Sequence, residues 1–80
     1  MIIEAKVFSS LRHYLPNSHR NLEGDKWDIS EGATVAQTLE MLNIPEEEAR
    51  ILLVNGRNVD RQRVLKGDDV LHIFPAICGG

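Results

Sequence analysis

The chain has 80 residues, 42% of them hydrophobic but only 5% aromatic, and a formal net charge of -3 at pH 7. This length allows one small domain with a modest, mostly aliphatic core, and excludes a second domain or a cofactor-binding lobe. The negative charge argues against a nucleic-acid-binding surface, which is normally basic. The single cysteine excludes an intramolecular disulfide and fits a reducing cytosol.

Targeting and membrane signals are not recognisable in the sequence. No apolar run approaches membrane-spanning length, and residues 1–6 lack the basic-then-apolar pattern of a signal peptide. We therefore expect a cytoplasmic protein that does not enter a membrane.

The first thirty residues predict two strands separated by a short helix and a loop. Residues 2–8 alternate apolar and polar side chains, which is typical of a half-buried strand. Residues 9–15 predict a short helix that its two serines can cap and that Pro16 stops. The polar residues 17–24 predict a loop, and residues 27–29 predict a short second strand.

The clearest helix signal covers residues 34–43. Thr34 is a good N-cap, and Gln37 lies three residues later, where its side chain can complete a capping box. Asn43 and Pro45 end the pattern. One apolar stripe recurs at helical spacing, formed by Val35, Leu39 and Leu42.

The second half of the chain is rich in strand signals. Residues 46–48, three glutamates, predict a short helical turn or simply a solvated acidic run. Residues 51–54 form an apolar strand, and the following Asn55-Gly56 pair is a strong hairpin signal. Residues 57–60 predict the return strand and residues 70–74 the last one. Two hairpin-like halves around one main helix predict an α+β fold, with the helix packed on one face of the sheet.

Few side chains offer catalytic or metal-binding chemistry. His13, His19 and His72 lack metal-ligand spacing, and Cys78 has no Cys-x-x-Cys partner. No glycine-rich phosphate loop or Ser-His-Asp set is recognisable. We therefore expect a protein that is not itself an enzyme and that binds no cofactor or metal.

The pair Gly79-Gly80 follows the last predicted strand at a short distance. Glycine cannot contribute a side chain to a core, but a di-glycine end can enter a narrow channel and present its carboxylate to another protein. Residues 75–80 would reach roughly 20 Å when extended, at about 3.3 Å per residue. We expect the carboxylate of Gly80 to be the reactive group; a frayed terminus is the alternative.

Four segments, in order along almost the whole chain, resemble the MoaD/ThiS sulfur-carrier family. They are Phe8-Ser9-Ser10-Leu11-Arg12, Glu31-Gly32-Ala33-Thr34-Val35, Val54-Asn55-Gly56 and the stretch from Leu65 to Gly80. The resemblance implies the β-grasp fold of ubiquitin, a mixed sheet of four or five strands packed on one main helix. Residues 1–75 would form this domain and residues 76–80 a flexible tail.

Within that family, the chain most resembles the small subunit of molybdopterin synthase, which usually ends in Phe-Pro-Pro-Val-x-Gly-Gly. Here Ala76 replaces the second proline, and Cys78 stands where a small residue is usual. The resemblance makes Ile77, Cys78 and Gly79 the tail that presents Gly80. Cys78 is either a tolerated small side chain or a thiol that takes part in persulfide exchange.

The resemblance also implies a mechanism that partners carry out. An E1-like adenylyltransferase and sulfurtransferase would use ATP to adenylate Gly80, and a persulfide sulfur would displace AMP to leave a thiocarboxylate. The large subunit of molybdopterin synthase would then receive that sulfur for a pterin precursor. The chain would bind no cofactor itself and would be a monomer when free.

A partner interface follows from matching residues 71–74 to the Leu-His-Leu-Val run near the end of ubiquitin. The match turns the first and third side chains toward the core and the second and fourth outward, and it turns Leu53 outward as well. Exposed contiguous apolar groups usually mark interaction sites. The alternative is that Phe74 closes the core and His72 is an ordinary surface residue. The predicted interface comprises Leu53, His72, Phe74 and Pro75.

The sequence is also compatible with other functions. The chain could carry sulfur for thiamine, cysteine or tRNA thiolation, act as a ubiquitin-like protein modifier, or be a binding module with an inert end. A group of basic residues is interpreted as a solvated face, with steering toward an acidic partner as the alternative. These residues are Arg57, Arg61, Arg63 and Lys66.

Overall fold

The computed structural model describes residues 1–16 and 21–75, which form a five-stranded sheet and one α-helix. The tail predicted over residues 76–80 lies outside the described residues. The strands are β1 (Ile2–Val7), β2 (Lys26–Asp28), β3 (Ile51–Val54), β4 (Arg57–Asn58) and β5 (Val70–Phe74), and the helix is α1 (Val35–Met41). Two 3₁₀ helices span Ser9–Tyr14 and Glu46–Glu48.

The sheet is mixed, with the order β2-β1-β5-β3-β4. At its centre β1 and β5 run parallel, with Ala5 opposite Leu71. The other neighbouring pairs, β1 with β2, β3 with β5 and β3 with β4, are antiparallel. The strands from the two ends of the chain therefore meet in the middle of the sheet.

The core lies between α1 and one face of the sheet. Val35, Leu39 and Leu42, the apolar stripe predicted for the helix, are all fully buried. The strands contribute every second residue to the same core, as period-two alternation requires. These strand residues are Ile3, Ala5, Val7, Trp27, Leu52, Val54, Leu71 and Ile73.

The capping box that starts α1 is present as predicted. The backbone N–H of Gln37 donates to Thr34 Oγ1 at 3.2 Å, and the backbone N–H of Thr34 donates to Gln37 Oε1 at 2.9 Å. The helix ends at Met41, two residues earlier than predicted, because Asn43 adopts the left-handed conformation with φ 62°.

Two local predictions are wrong in detail. Residues 9–14 form a 3₁₀ helix, and Phe8 occupies the N-cap position that was predicted for a serine. The return strand β4 covers only Arg57–Asn58. It is short because the side chain of Asp60 accepts a hydrogen bond from the backbone of Gln62 at 2.9 Å, a local turn that leads the chain away from the sheet.

A polar network ties the β3–β4 turn to the start of β5. Asn55, with φ 53°, and Gly56, with φ 85°, form the turn that the Asn-Gly pair predicts. The buried carboxylate of Asp69 accepts from Asn55 Nδ2 at 3.0 Å and from the backbone N–H of Lys66 at 2.8 Å. Asn55 Oδ1 in turn accepts from the backbone N–H of Val70 at 3.0 Å. This network fixes where β5 begins and therefore which of its side chains face the core.

Candidate protein interface

The side chains of β5 alternate strictly between the two faces of the sheet. Leu71 and Ile73 are 0% exposed beneath α1, whereas His72 and Phe74 are half-buried on the opposite face, which we call the open face. In β3, Leu53 is likewise half-buried between two core residues. The orientation predicted for both strands is therefore confirmed, and Phe74 lies outside the core cluster.

Strand pairing brings the predicted interface residues together. Leu53 lies directly opposite His72, and Ile51 lies opposite Phe74, across the antiparallel pair of β3 and β5. Directly opposed side chains in a sheet are close enough to touch. Pro75 follows Phe74 immediately and is half-buried.

Phe8 joins this surface, although the sequence analysis did not assign it to the interface. Its ring stacks on Phe74 with centroids 4.4 Å apart and planes 6° from parallel, and it lies 5.9 Å from the ring of His72. The available signal was the outward phase of residues 2–8, which puts an aromatic side chain on the open face at position 8. We call this surface the aromatic patch; its members are Phe8, Ile51, Leu53, His72 and Phe74.

The three rings of the patch are nearly parallel to one another. Phe8 directly follows β1, and its backbone N–H donates to the carbonyl of Ile73 in the neighbouring strand. Neighbouring strands lie about 4.8 Å apart. The rings of Phe8 and Phe74, with centroids 4.4 Å apart, are therefore stacked in the direction that leads from one strand to the next. The rings of Phe8 and Phe74 therefore stand on the sheet and present their edges to the surroundings.

The other half of the open face is charged. Lys6 Nζ lies 3.5 Å from a carboxylate oxygen of Asp25 and 3.9 Å from one of Glu4. At the far edge, the N-terminal amine lies 3.5 Å from Asp28. Such exposed ion pairs stabilise the fold little. The charged side chains begin at β1, where Lys6 lies directly opposite His72 of β5.

The residues predicted to carry the chemistry, Ile77, Cys78, Gly79 and Gly80, lie outside the described residues. Within residues 1–16 and 21–75, no group of three or more His, Cys, Asp or Glu side chains could hold a metal ion. No helix in that part of the chain is long and apolar enough to cross a membrane.

Comparison with known proteins identifies the family and the fold of the chain. The model of the ThiS family matches residues 13–80, which is most of the chain. The chain belongs to the ThiS family. The crystal structure of SAMP1 from Haloferax volcanii is similar over 100% of both chains, with a TM-score of 0.68 and 23% sequence identity. No curated protein matches the sequence.

The structural similarity confirms that this ThiS-family protein has the ubiquitin-like β-grasp fold that the resemblance implied. The family match also confirms the resemblance to MoaD/ThiS proteins. The protein is therefore a ThiS-family protein with a ubiquitin-like β-grasp fold.

The basic residues of this ThiS-family protein lie mostly in the segment between β4 and β5 and are exposed. Arg61 is engaged within the chain: its Nη2 donates to the backbone carbonyl of Glu46 at 2.7 Å, and its Nε lies 3.7 Å from the Glu46 carboxylate. Arg63 Nε donates to the carbonyl of Val64. These bonds favour the interpretation of the segment as a solvated face.

Proposed function

We propose that this protein is a sulfur carrier whose C-terminal Gly80 is converted to a thiocarboxylate, and that it supplies sulfur as the small subunit of molybdopterin synthase. The observation that carries the sulfur-carrier role is the family match, which extends through the di-glycine to Gly80. The assignment to molybdopterin synthase rests on the resemblance of residues 74–80 to the usual end of that small subunit. The protein is not itself the catalyst in this proposal. It brings a sulfur atom and a binding surface to partners that hold the active sites.

The described residues end at Pro75, directly after the aromatic patch, which supports this division of labour. Phe74 is the last residue of β5 and a member of the patch, and Pro75 follows it directly. The five residues that remain could extend about 16 Å at about 3.3 Å per residue. A partner that covers the patch can therefore hold the end of the tail in its own active site.

Activation would require an E1-like partner and ATP, because a carboxylate is a poor electrophile. The Gly80 carboxylate attacks the α-phosphorus of ATP, and pyrophosphate leaves. A persulfide sulfur of the partner then attacks the acyl carbon and displaces AMP, which gives an acyl disulfide. A second thiol attacks the sulfur–sulfur bond, and the electron pair departs with the thiocarboxylate of Gly80 while the partner is left with a disulfide.

The aromatic patch is the surface that we assign to both partners, the E1-like enzyme and the large subunit of the synthase. It combines stacked aromatic rings with aliphatic side chains from β3, a composition typical of interface centres. One surface serving both partners means that they bind in turn, so the carrier must be released after each step.

The test is the intact mass of the protein purified from its own cells. A carrier will show a population in which one oxygen has been exchanged for sulfur, and fragmentation will locate the exchange at Gly80. A second measurement addresses the acceptor: deletion of the gene should abolish molybdopterin synthesis. The proposal would be contradicted if the protein from growing cells carried an unmodified carboxylate throughout and the gene deletion left molybdopterin synthesis unaffected.

The ubiquitin-like fold favours one second candidate, a protein modifier joined to lysine side chains by isopeptide bonds. Its support is the similarity to SAMP1, which covers 100% of both chains. Both functions begin with adenylation of Gly80. Proteolysis of cellular protein followed by a search for lysines that carry the peptide ending in Gly79-Gly80 separates them.

A further inference from the structure

His72 has an unusual polar atom at the centre of the aromatic patch. Its ring nitrogen Nδ1 is buried and has no hydrogen-bond partner, and it is the one such side-chain atom in the described part of the chain. The ring lies 5.9 Å from that of Phe8 and 6.3 Å from that of Phe74. Across the sheet it is flanked by Lys6 of β1 and Leu53 of β3.

This environment selects one form of the neutral ring. A neutral imidazole carries a proton on one nitrogen and a lone pair on the other. Among backbone groups, a buried N–H without a partner is rarer than an under-used acceptor. By the same preference we infer that the lone pair lies on the buried Nδ1. The proton then lies on Nε2, the ring nitrogen that is not among the buried atoms lacking a partner.

We propose that the Nε2–H of His72 is a specificity donor, which hydrogen-bonds an oxygen atom of the E1-like partner when that partner covers the aromatic patch. The inference rests on the proposed function, which supplies the partner. His72 is the only polar side chain among the five members of the patch. A partner surface without an acceptor would remove water from this N–H without replacing the lost hydrogen bond. Such a surface would bind more weakly.

The neighbouring rings favour an oxygen acceptor in particular. The edge of an aromatic ring carries the positive side of its quadrupole, and Phe8 and Phe74 present their edges on the open face. The Nε2–H and the ring edges therefore attract the same kind of atom, a carbonyl or carboxylate oxygen. Lys6 does not replace His72 in this role, because its ammonium group already lies beside the carboxylates of Glu4 and Asp25.

The test compares three substitutions in the full chain, with the purified E1-like adenylating enzyme of the same cell as the probe. His72→Gln places an amide N–H near the position of Nε2, His72→Asn places one near Nδ1, and His72→Leu has none. We expect His72→Leu and His72→Asn to weaken binding about tenfold, which corresponds to one unpaired buried donor. His72→Gln should remain within about threefold of the unsubstituted protein.

Two controls separate recognition from folding. Urea unfolding of each variant gives the folded fraction, and affinities are compared per folded molecule, so a merely structural role would leave them equal. Nitrogen-15 NMR of the His72 ring at neutral pH should show the Nε2–H form in the free protein. An Nδ1–H ring, or equal affinity for His72→Leu and His72→Gln, would overturn the inference.

The same experiment distinguishes this inference from the proposed function. If the unsubstituted protein binds the enzyme and acquires sulfur while all three variants bind equally well, only the role of His72 is wrong. If the unsubstituted protein neither binds the enzyme nor acquires sulfur, the proposed function is wrong and the inference is overturned with it.

Discussion

The two faces of the central sheet are built by the same strands but differ in burial and composition. Beneath α1, β5 contributes Leu71 and Ile73, both 0% exposed in an aliphatic core. On the open face, the alternate residues His72 and Phe74 stack with Phe8 and remain half-buried. Because strand residues alternate between faces, packing under the helix constrains only every second residue. The residues between them are free to serve binding.

The two faces also differ in how much their side chains stabilise the fold. A fully buried aliphatic side chain stabilises a domain by about 1.5–3 kcal/mol relative to exposure, and an 80-residue chain has few such groups to lose. The stacked rings of the patch gain about 0.5–1.5 kcal/mol per pair beyond their burial. Substitutions on the core face should therefore act on folding, and those on the open face and tail on function.

The largest functional effect is expected beyond both faces, at Gly80. Deleting Gly80, or adding one residue after it, should abolish sulfur transfer, because a shift of roughly 3.3 Å exceeds what positioned catalysis tolerates. Thiocarboxylate formation with the E1-like enzyme, followed by mass spectrometry, measures this. The melting temperature should stay unchanged, and persistent sulfur transfer by the deletion variant would contradict a terminal reaction site.

On the core face, Ile73→Ala should have the largest effect on stability. Removal of this fully buried side chain leaves a cavity between α1 and the sheet, and we expect a loss of about 2–5 kcal/mol. Urea unfolding measures it. The matched control is Phe74→Ala, one residue along the same strand, which should cost about 1 kcal/mol; equal losses would mean that the two faces do not differ as described.

The next largest loss of stability is expected in the polar network at the start of β5. Asp69→Ala removes the acceptor for Asn55 Nδ2 and for the backbone N–H of Lys66. Leaving these partly buried donors without their charged acceptor should cost about 1–3 kcal/mol in urea unfolding. Asp60→Ala, which removes one exposed turn hydrogen bond, serves as the control and should cost about 0.5 kcal/mol. A reversed order of the two losses would show that this network does not anchor β5.

On the open face, Phe74→Ala should act mainly on binding. Loss of a central aromatic contact typically weakens an interface by more than about 1 kcal/mol, which corresponds to a loss of affinity of about fivefold or more. Titration calorimetry with the E1-like enzyme and with the large subunit measures the change. Glu4→Ala, on the charged half of the same face, is the control and should leave affinity nearly unchanged. Unaltered binding per folded molecule for Phe74→Ala would remove the patch from the interface.

Cys78→Ser should have the smallest effect. The tail has no Lys or Arg that would activate a thiol, so we expect that position 78 needs a small side chain and not a sulfur. Thiocarboxylation and transfer rates should remain close to those of the unsubstituted protein. A Cys78→Ser protein that cannot be thiocarboxylated would instead establish a chemical role for the cysteine.

Short-range features of this protein could be predicted from sequence because they depend on residues within a few positions of one another. The Thr34–Gln37 capping box, the Asn55-Gly56 turn and the bounds of β3 and β5 were predicted and are present. The orientation of β5 needed the resemblance to ubiquitin, since alternation by itself allows two phases. The Gly79-Gly80 tail was recognised from sequence alone, and its role stays a prediction.

The tertiary structure decided the features that depend on contacts between distant segments. The parallel pairing of β1 with β5 joins the two ends of the chain, and no local pattern encodes which strands become neighbours. That pairing places Phe8 beside Phe74, although 65 residues separate them in sequence. Local chemistry determined the elements, whereas long-range packing determined which side chains meet on the open face.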